Sequence, residues 1–155
     1  MIGLILVASL IISCDLFTPS GVNNPSTKIE ITSQSLVDTQ WEFVSMEVTE
    51  QGTHGRETGV YEVPDEEYYI IEFGESVLKG QMFCNSCVSR YEIIPPDSIF
   101  IPPMLCSRLS CGTFAPQRQL AHSKTFELYQ ENLRLFYESD MHGNGNLYFK
   151  KMDVE

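Results

Sequence analysis

Bulky apolar residues fall on every second position through several short stretches of this chain, which is the spacing of a strand with one buried face. Trp41-Glu42-Phe43-Val44-Ser45-Met46 is the first such stretch. Residues 68–73, rich in aromatic and β-branched side chains, predict a second strand. Gly74-Glu75-Ser76 turns the chain into a third, residues 77–83, paired with the second as a hairpin. Residues 89–94 and 98–101 predict two more, separated by Pro95-Pro96-Asp97. Pro102-Pro103 stops the latter, because proline cannot donate to a sheet ladder. Residues 125–129, 133–138 and 147–152 complete the set; Leu133, Leu135 and Tyr137 share one face, with Arg134 and Glu138 opposite. Residues 52–67, with Gly52, Gly55, Gly59 and many charges, read as a loop, and residues 140–146 as another. Only residues 114–123 predict a helix, with Pro116 in its first turn, where a missing N–H costs little. The sum is an α+β domain: one antiparallel, β-rich domain whose curved or barrel-like sheet of about eight strands carries one short helix.

The start of the chain follows a different pattern. Residues 2–12 are nearly continuously apolar and uncharged. The run is too short to span a membrane, which takes about 20 residues, but it fits the apolar core of a secretory signal. It ends in Leu10-Ile11-Ile12-Ser13-Cys14. A branched aliphatic three residues before a cysteine, with a small residue just before it, resembles the lipobox of bacterial lipoproteins. The resemblance implies cleavage before Cys14 and acylation of its sulfur and new amine. Each buried CH₂ would contribute about 0.8 kcal/mol to anchoring. Asp15 leaves open which membrane, inner or outer, would carry the anchor. From Asp15 to about Asp38 the chain is rich in Ser, Thr, Asn and Pro and shows no lasting period, so it reads as a flexible tether. The expected division is a signal peptide over 1–13, a lipidated cysteine and tether over 14–37, and one domain over 38–155.

Composition narrows the partners. Apolar content of 43% supports a packed core. A net charge of −11, from 21 acidic and 10 basic residues, argues against nucleic acid, which needs a basic footprint. It also argues against direct docking on anionic headgroups. Membrane contact is therefore expected through the lipid anchor.

Four cysteines follow Cys14: Cys84, Cys87, Cys106 and Cys111. An even count in an exported domain points to two disulfides, with three pairings open. Two other chemistries fit the spacing. Cys84-x₂-Cys87 with Cys106-x₄-Cys111 could give zinc four thiolates. Cys84-Asn85-Ser86-Cys87 has the spacing of a redox dithiol, although it follows one predicted strand and precedes another, whereas such motifs belong at strand-to-helix junctions.

This block and its flanks resemble the META/HslJ family. Val77-x₂-Gly80-x₃-Cys84-Asn85, with Tyr91 seven residues after the cysteine, is similar to the family's glycine, Cys-Asn and tyrosine run. Ser107-Arg108-Leu109-Ser110-Cys111 is similar to its Thr-x-Met-Ala-Cys segment, and Ser89 stands where the family has glycine. Trp41 stands at the Trp of the family's first strand, and Leu133-Arg134-Leu135 with Leu147-Tyr148-Phe149 resembles its closing strands. The resemblance covers residues 36–152. Family members with only two cysteines have them where Cys84 and Cys111 stand. That implies the pairs Cys84–Cys111 and Cys87–Cys106, with a turn or bulge at Asn85-Ser86.

No catalytic constellation stands out. His54, His122 and His142 are scattered, without a nucleophile elbow or a glycine-rich phosphate loop. Asp140-x-His142-x-Asn144-Gly145 looks like the start of a calcium loop, but Lys151 stands where the bidentate Glu belongs. Asn144-Gly145 between two strands reads as a hairpin turn, the acidic run Asp65-Glu66-Glu67 as a solvated strand entrance, and Trp41 as core. The leading expectation is a non-enzymatic cell-envelope lipoprotein without cofactor. It would act by binding an envelope protein or small ligand, or by supporting envelope integrity under stress. A second is a small inhibitor or ligand-binding module acting on an envelope enzyme, favoured if residues 52–67 expose an apolar or aromatic patch. A third is a zinc-binding or thiol-active protein using the four cysteines.

Overall fold

In the computed structural model, which describes residues 27–52, 55–64, 67–82, 85–107, 116–140 and 143–153, the period-2 pattern becomes one antiparallel sheet. Its strands in chain order are β1 (Thr39–Gly52), β2 (Gly55–Glu62), β3 (Tyr69–Phe73), β4 (Val77–Met82), β5 (Ser86–Arg90), β6 (Glu92–Ile94), β7 (Ser98–Phe100), β8 (Leu105–Cys106), β9 (Ser123–Leu128), β10 (Asn132–Ser139) and β11 (Gly143–Lys151). A single helical turn, α1 (Gln117–Leu120), lies between β8 and β9. Ten strands form the path β6-β7-β9-β10-β11-β1-β3-β4-β5-β8, and β2 pairs with β1 off that path. Only Tyr91 separates β5 from β6 along the chain, yet the two stand near opposite ends of the path. The sheet therefore curls into a half-barrel.

Alternation sets the inner face. Ile71, Phe73, Leu78, Phe126, Leu133, Leu135, Tyr137, Leu147 and Phe149 point inward with Trp41 and form one core. Full burial of a large aliphatic or aromatic side chain contributes roughly 1.5–3 kcal/mol. Phe43 packs edge-on against both Tyr69 and Phe149, with ring centroids 6.2 and 5.3 Å away.

β1 organises the sheet because it serves three partners. One edge runs along β11, from Trp41 opposite Lys151 to Thr49 opposite Asn144. The other edge is divided: Thr39 to Glu42 pair with β3, and Ser45 to Gly52 pair with β2. The register shifts between Phe43 and Ser45, where the edge changes partner. An extra residue there adds local twist.

Several expectations need correction. Among the described residues the sheet has eleven strands, not about eight. Residues 55–62 form β2 instead of part of a loop, and every described side chain on it except Gly59 is exposed. A strand exposed on both faces leaves no alternation to detect. The span 89–94 is two strands broken at Tyr91, the first beginning at Ser86. Leu105–Cys106 is too short to have a period. Residues 143–146 belong to β11, so Asn144-Gly145 lies within a strand and the chain reverses between Ser139 and Gly143. Gly145 is needed there for close approach, since a Cβ would collide with the Glu47 carbonyl. The helix is one turn, with Pro116 as its N-cap and Ser123 already in β9. The end of the expected tether also lies on the domain. Ile29 donates its N–H to the Leu128 carbonyl at 2.8 Å, Lys28 bridges to Tyr129, Ile31 packs on the core and Leu36 is fully buried. The leader 1–13, Cys14, Cys84, Cys111, Asp65-Glu66, His54 and His142 fall outside the described residues.

Candidate functional site

Two of the family-motif residues, Asn85 and Ser107, meet beside Cys87 and Cys106 at the β5–β8 edge, while Gly80 lies one strand in and Tyr91 stands just past the other end of β5. Gly80 on β4 lies opposite Cys87 on β5, and Cys87 lies opposite Cys106 on β8. A disulfide joins Cys87 to Cys106, one of the two pairs that the resemblance implied. While this bond stands, a zinc site built from all four thiolates lacks two of them. The cysteines are 19 residues apart, so the closed loop contributes roughly 3 kcal/mol in the loop-entropy account.

Hydrogen bonds reinforce the same corner. Ser107 donates its N–H to the Ser86 carbonyl at 2.9 Å. Its hydroxyl donates to Asn85 Oδ1 at 2.9 Å and accepts from the Ser86 N–H at 3.2 Å. Met82 donates to the Asn85 carbonyl at 2.8 Å, which closes the β4–β5 reversal. Ser89, where the family has glycine, donates its hydroxyl to the Pro102 carbonyl at 2.8 Å. Gly80 makes room for the Tyr69 phenol, whose oxygen would sit 2.9 Å from a Cβ there. Burial raises the Tyr69 phenol well above its ordinary value. Tyr91 donates its hydroxyl to the Gly74 carbonyl and sets its ring edge-on to Phe73 at 4.9 Å. Burial, then the nearby Asp38 charge, raises its phenol as well. Trp41 is buried in the core and donates its indole N–H to Thr39 Oγ1 at 2.8 Å. These bonds tie backbone segments and ring edges together.

A second constellation, absent from the sequence reading, crosses the outer face over four neighbouring strands. The Glu47 carboxylate on β1 accepts from the Asn146 amide at 2.8 Å and from the Tyr148 hydroxyl at 2.7 Å, both on β11. Arg134 on β10 donates to Asn146 Oδ1 at 2.9 Å and to Glu127 Oε2 on β9 at 3.3 Å. Its guanidinium also lies 5.7 Å from the centre of the Tyr148 ring. Lys28 reaches Glu127 Oε1 at 3.2 Å. Burial works to raise the Glu127 carboxyl, but the hydrogen bonds and charges of Lys28 and Arg134 outweigh it and hold it below the usual range. The Tyr148 phenol is pushed up to about 12, by burial first and then by its bond to Glu47. Such a ladder keeps the Tyr148 phenol protonated and the Glu127 carboxylate charged, which orders the surface. Alternation could have placed Arg134 and Glu127 outward, but Asn146 was concealed in the expected loop.

At the hairpin end of the sheet, Thr49, Glu50, Arg56, Glu138, Ser139 and Asp140 line an open cleft of about 430 Å³. Its charged lining residues are Glu50, Glu138 and Asp140 with one cation, Arg56. Among the described residues, no group of three or more His, Cys, Asp or Glu side chains is arranged to hold a metal ion. Large apolar side chains stand exposed on the adjoining ribbon, Val60 at 62% and Tyr61 at 50%, and at the far edge, Leu105 at 78%. Compared with known proteins, the chain matches no family model, no curated protein and no solved structure.

Proposed function

We propose that this chain is an exported bacterial lipoprotein, anchored through Cys14, whose disulfide-stapled, META/HslJ-like domain works by contact and not by catalysis. The Cys87–Cys106 bond carries the reading, because such bonds persist in oxidising compartments and are rare in the cytosol. The lipobox-like Leu10-Ile11-Ile12-Ser13-Cys14 supplies the route out and the anchor. The outward groups described above are engaged in ordering the surface, as a binding or envelope-supporting domain requires. Metabolic labelling with a fatty acid tests the reading. Label is expected on the wild-type chain in the membrane fraction and should vanish in Cys14→Ser. An unlabelled cytosolic chain with free Cys87 and Cys106 thiols would sink it.

A second reading, a small inhibitor or ligand-binding module, draws support from one observation. Val60 and Tyr61 are exposed within the 52–67 segment, where an aromatic or apolar patch was the discriminating feature. Comparing the envelope proteins co-purified by wild type and by Val60→Ser/Tyr61→Ser tests it. An unchanged set would remove the support.

A further inference from the structure

β2 is the strand with an edge to spare. Among the described residues it pairs with β1 alone, so the backbone groups of alternate residues along its other side face away from the sheet. Natural sheets blunt such edges with charged side chains, lysine above all, or with proline, bulges or very short strands; the charges on β2 are of both signs, Arg56 against Glu57 and Glu62. β2 is eight residues long, Gly55-Arg56-Glu57-Thr58-Gly59-Val60-Tyr61-Glu62, and contains neither lysine nor proline. It pairs with β1 residue for residue from Ser45–Glu62 to Gly52–Gly55, without a shift.

We infer that this edge pairs with the same edge of a second copy of the chain, antiparallel about Gly59. The sequence of the strand selects both partner and register. In an antiparallel pair of identical strands, opposed residues either both turn their backbone groups toward the partner or both turn them away, so the register moves only in steps of two. The register that engages β2 from Arg56 through Glu62 sets Gly59 opposite Gly59. It sets Thr58 opposite the other copy's Val60, and Arg56 opposite the other copy's Glu62, twice. Both charged side chains are exposed and lie on the outer face, with Thr58 and Val60 between them. Thr58–Val60 is a β-branched pairing of the kind that stabilises neighbouring strands, and opposite charges directly across a pair do the same. Sliding by one step unpairs Arg56 or Glu62 at each end and opposes unlike neighbours. Glycine at the axis presents no side chain, while the Tyr61 ring covers it on the inner face, its nearest carbon 3.4 Å from where a Cβ would be. Pairing would join two half-barrels into one continuous sheet. This inference rests on the described β2 edge and is independent of the lipid anchor.

Charge exchange tests it. The full-length chain, purified in mild detergent, is examined by native mass spectrometry at rising concentration, with circular dichroism confirming that each variant keeps the wild-type sheet signal. The wild type is expected to form a dimer. Arg56→Glu or Glu62→Arg alone replaces two attractions with two repulsions and should weaken the dimer by about tenfold or more. An equimolar mixture of the two variants restores both attractions and should give a heterodimer at wild-type strength, as should the double exchange within one chain. A wild-type chain that stays monomeric would overturn the inference, whatever else the edge accepts. So would folded single variants that dimerise like wild type, or a mixture that fails to recover.

Discussion

The middle of the sheet and its β5–β8 edge are held by different means. Across β9, β10, β11 and β1, long strands share extended registers, and nearly every inward position is a fully buried Leu, Phe, Tyr or Trp. The disulfide found among the described residues lies elsewhere, between β5 and β8. Among the described residues β8 pairs with β5 through two residues, Leu105 is 78% exposed, and the join is reinforced by a disulfide and the Ser107 hydrogen bonds. Two residue pairs cannot offset the entropy of ordering a strand, so the chain is stitched where packing is thin. The middle is stabilised by burial and the edge by linkage.

Cutting into the middle should have the largest effect. Leu135→Ala removes a fully buried side chain and is expected to lose about 2–5 kcal/mol of stability in urea unfolding. A loss under about 1 kcal/mol would mean that the centre is not the stabilising unit. Replacing both Cys87 and Cys106 with Ala should lose roughly 3 kcal/mol. The change in hydrogen exchange should concentrate at Leu105 and Cys106, and uniform loosening of β10 and β11 would erase the contrast. Gly145→Ala forces a methyl against the Glu47 carbonyl and should cost about 1–3 kcal/mol, read by thermal melting. Ser107→Ala, which deletes the hydroxyl linking Asn85 and Ser86, should cost about 0.5–1.5 kcal/mol.

The smallest effect sharpens the outer-face ladder through pH. The Tyr137 and Tyr148 phenols are raised from 10.0 to about 12 in the fold. A raised folded value means that the associated stability is fully present below pH 10 and is lost as pH climbs toward 12. The slope of stability in that window should be shallower in Tyr148→Phe, and an unchanged slope would show that the ladder contributes nothing. At the acid end the sign reverses. The lowered Glu127 carboxyl supports the fold above its unfolded value and withdraws that support as pH falls through its folded one. Glu127 is exposed enough for solvent to keep the contribution slight.

The sequence shows the middle of the sheet more clearly than its margins, for the same physical reason. Leu133, Leu135 and Tyr137 alternate against Arg134 and Glu138 because one face is buried and the other wet, and that contrast is written directly in residue type. β2 has solvent on both faces and β8 is two residues long, so neither has a period to read. Asn144-Gly145 carries the local chemistry of a turn, but Gly145 is there because a neighbouring carbonyl comes close, a reason that exists only once β1 and β11 have met. The even count of cysteines after Cys14 pointed to disulfides, and the Cys87–Cys106 bond is one of the pairs expected. The Glu47–Asn146–Tyr148–Arg134 ladder joins side chains from opposite ends of the chain, and no local pattern could announce it.

The division of β1 between three strands has a consequence in time. Its long edge is completed by β11, and the Glu47 and Tyr148 that bond across it are 101 residues apart in the chain. Synthesis delivers β1 well before its main partner, so the sheet cannot close from the front as the polypeptide emerges. Nascent chains ending before Gly143 should be cut freely by a protease, and resistance should appear only when Lys151 is clear of the ribosome; resistance before that point would show that β1 finds adequate partners without β11. A chain that stays open until β11 arrives is one that a translocation channel can still thread, which is what the proposed export needs.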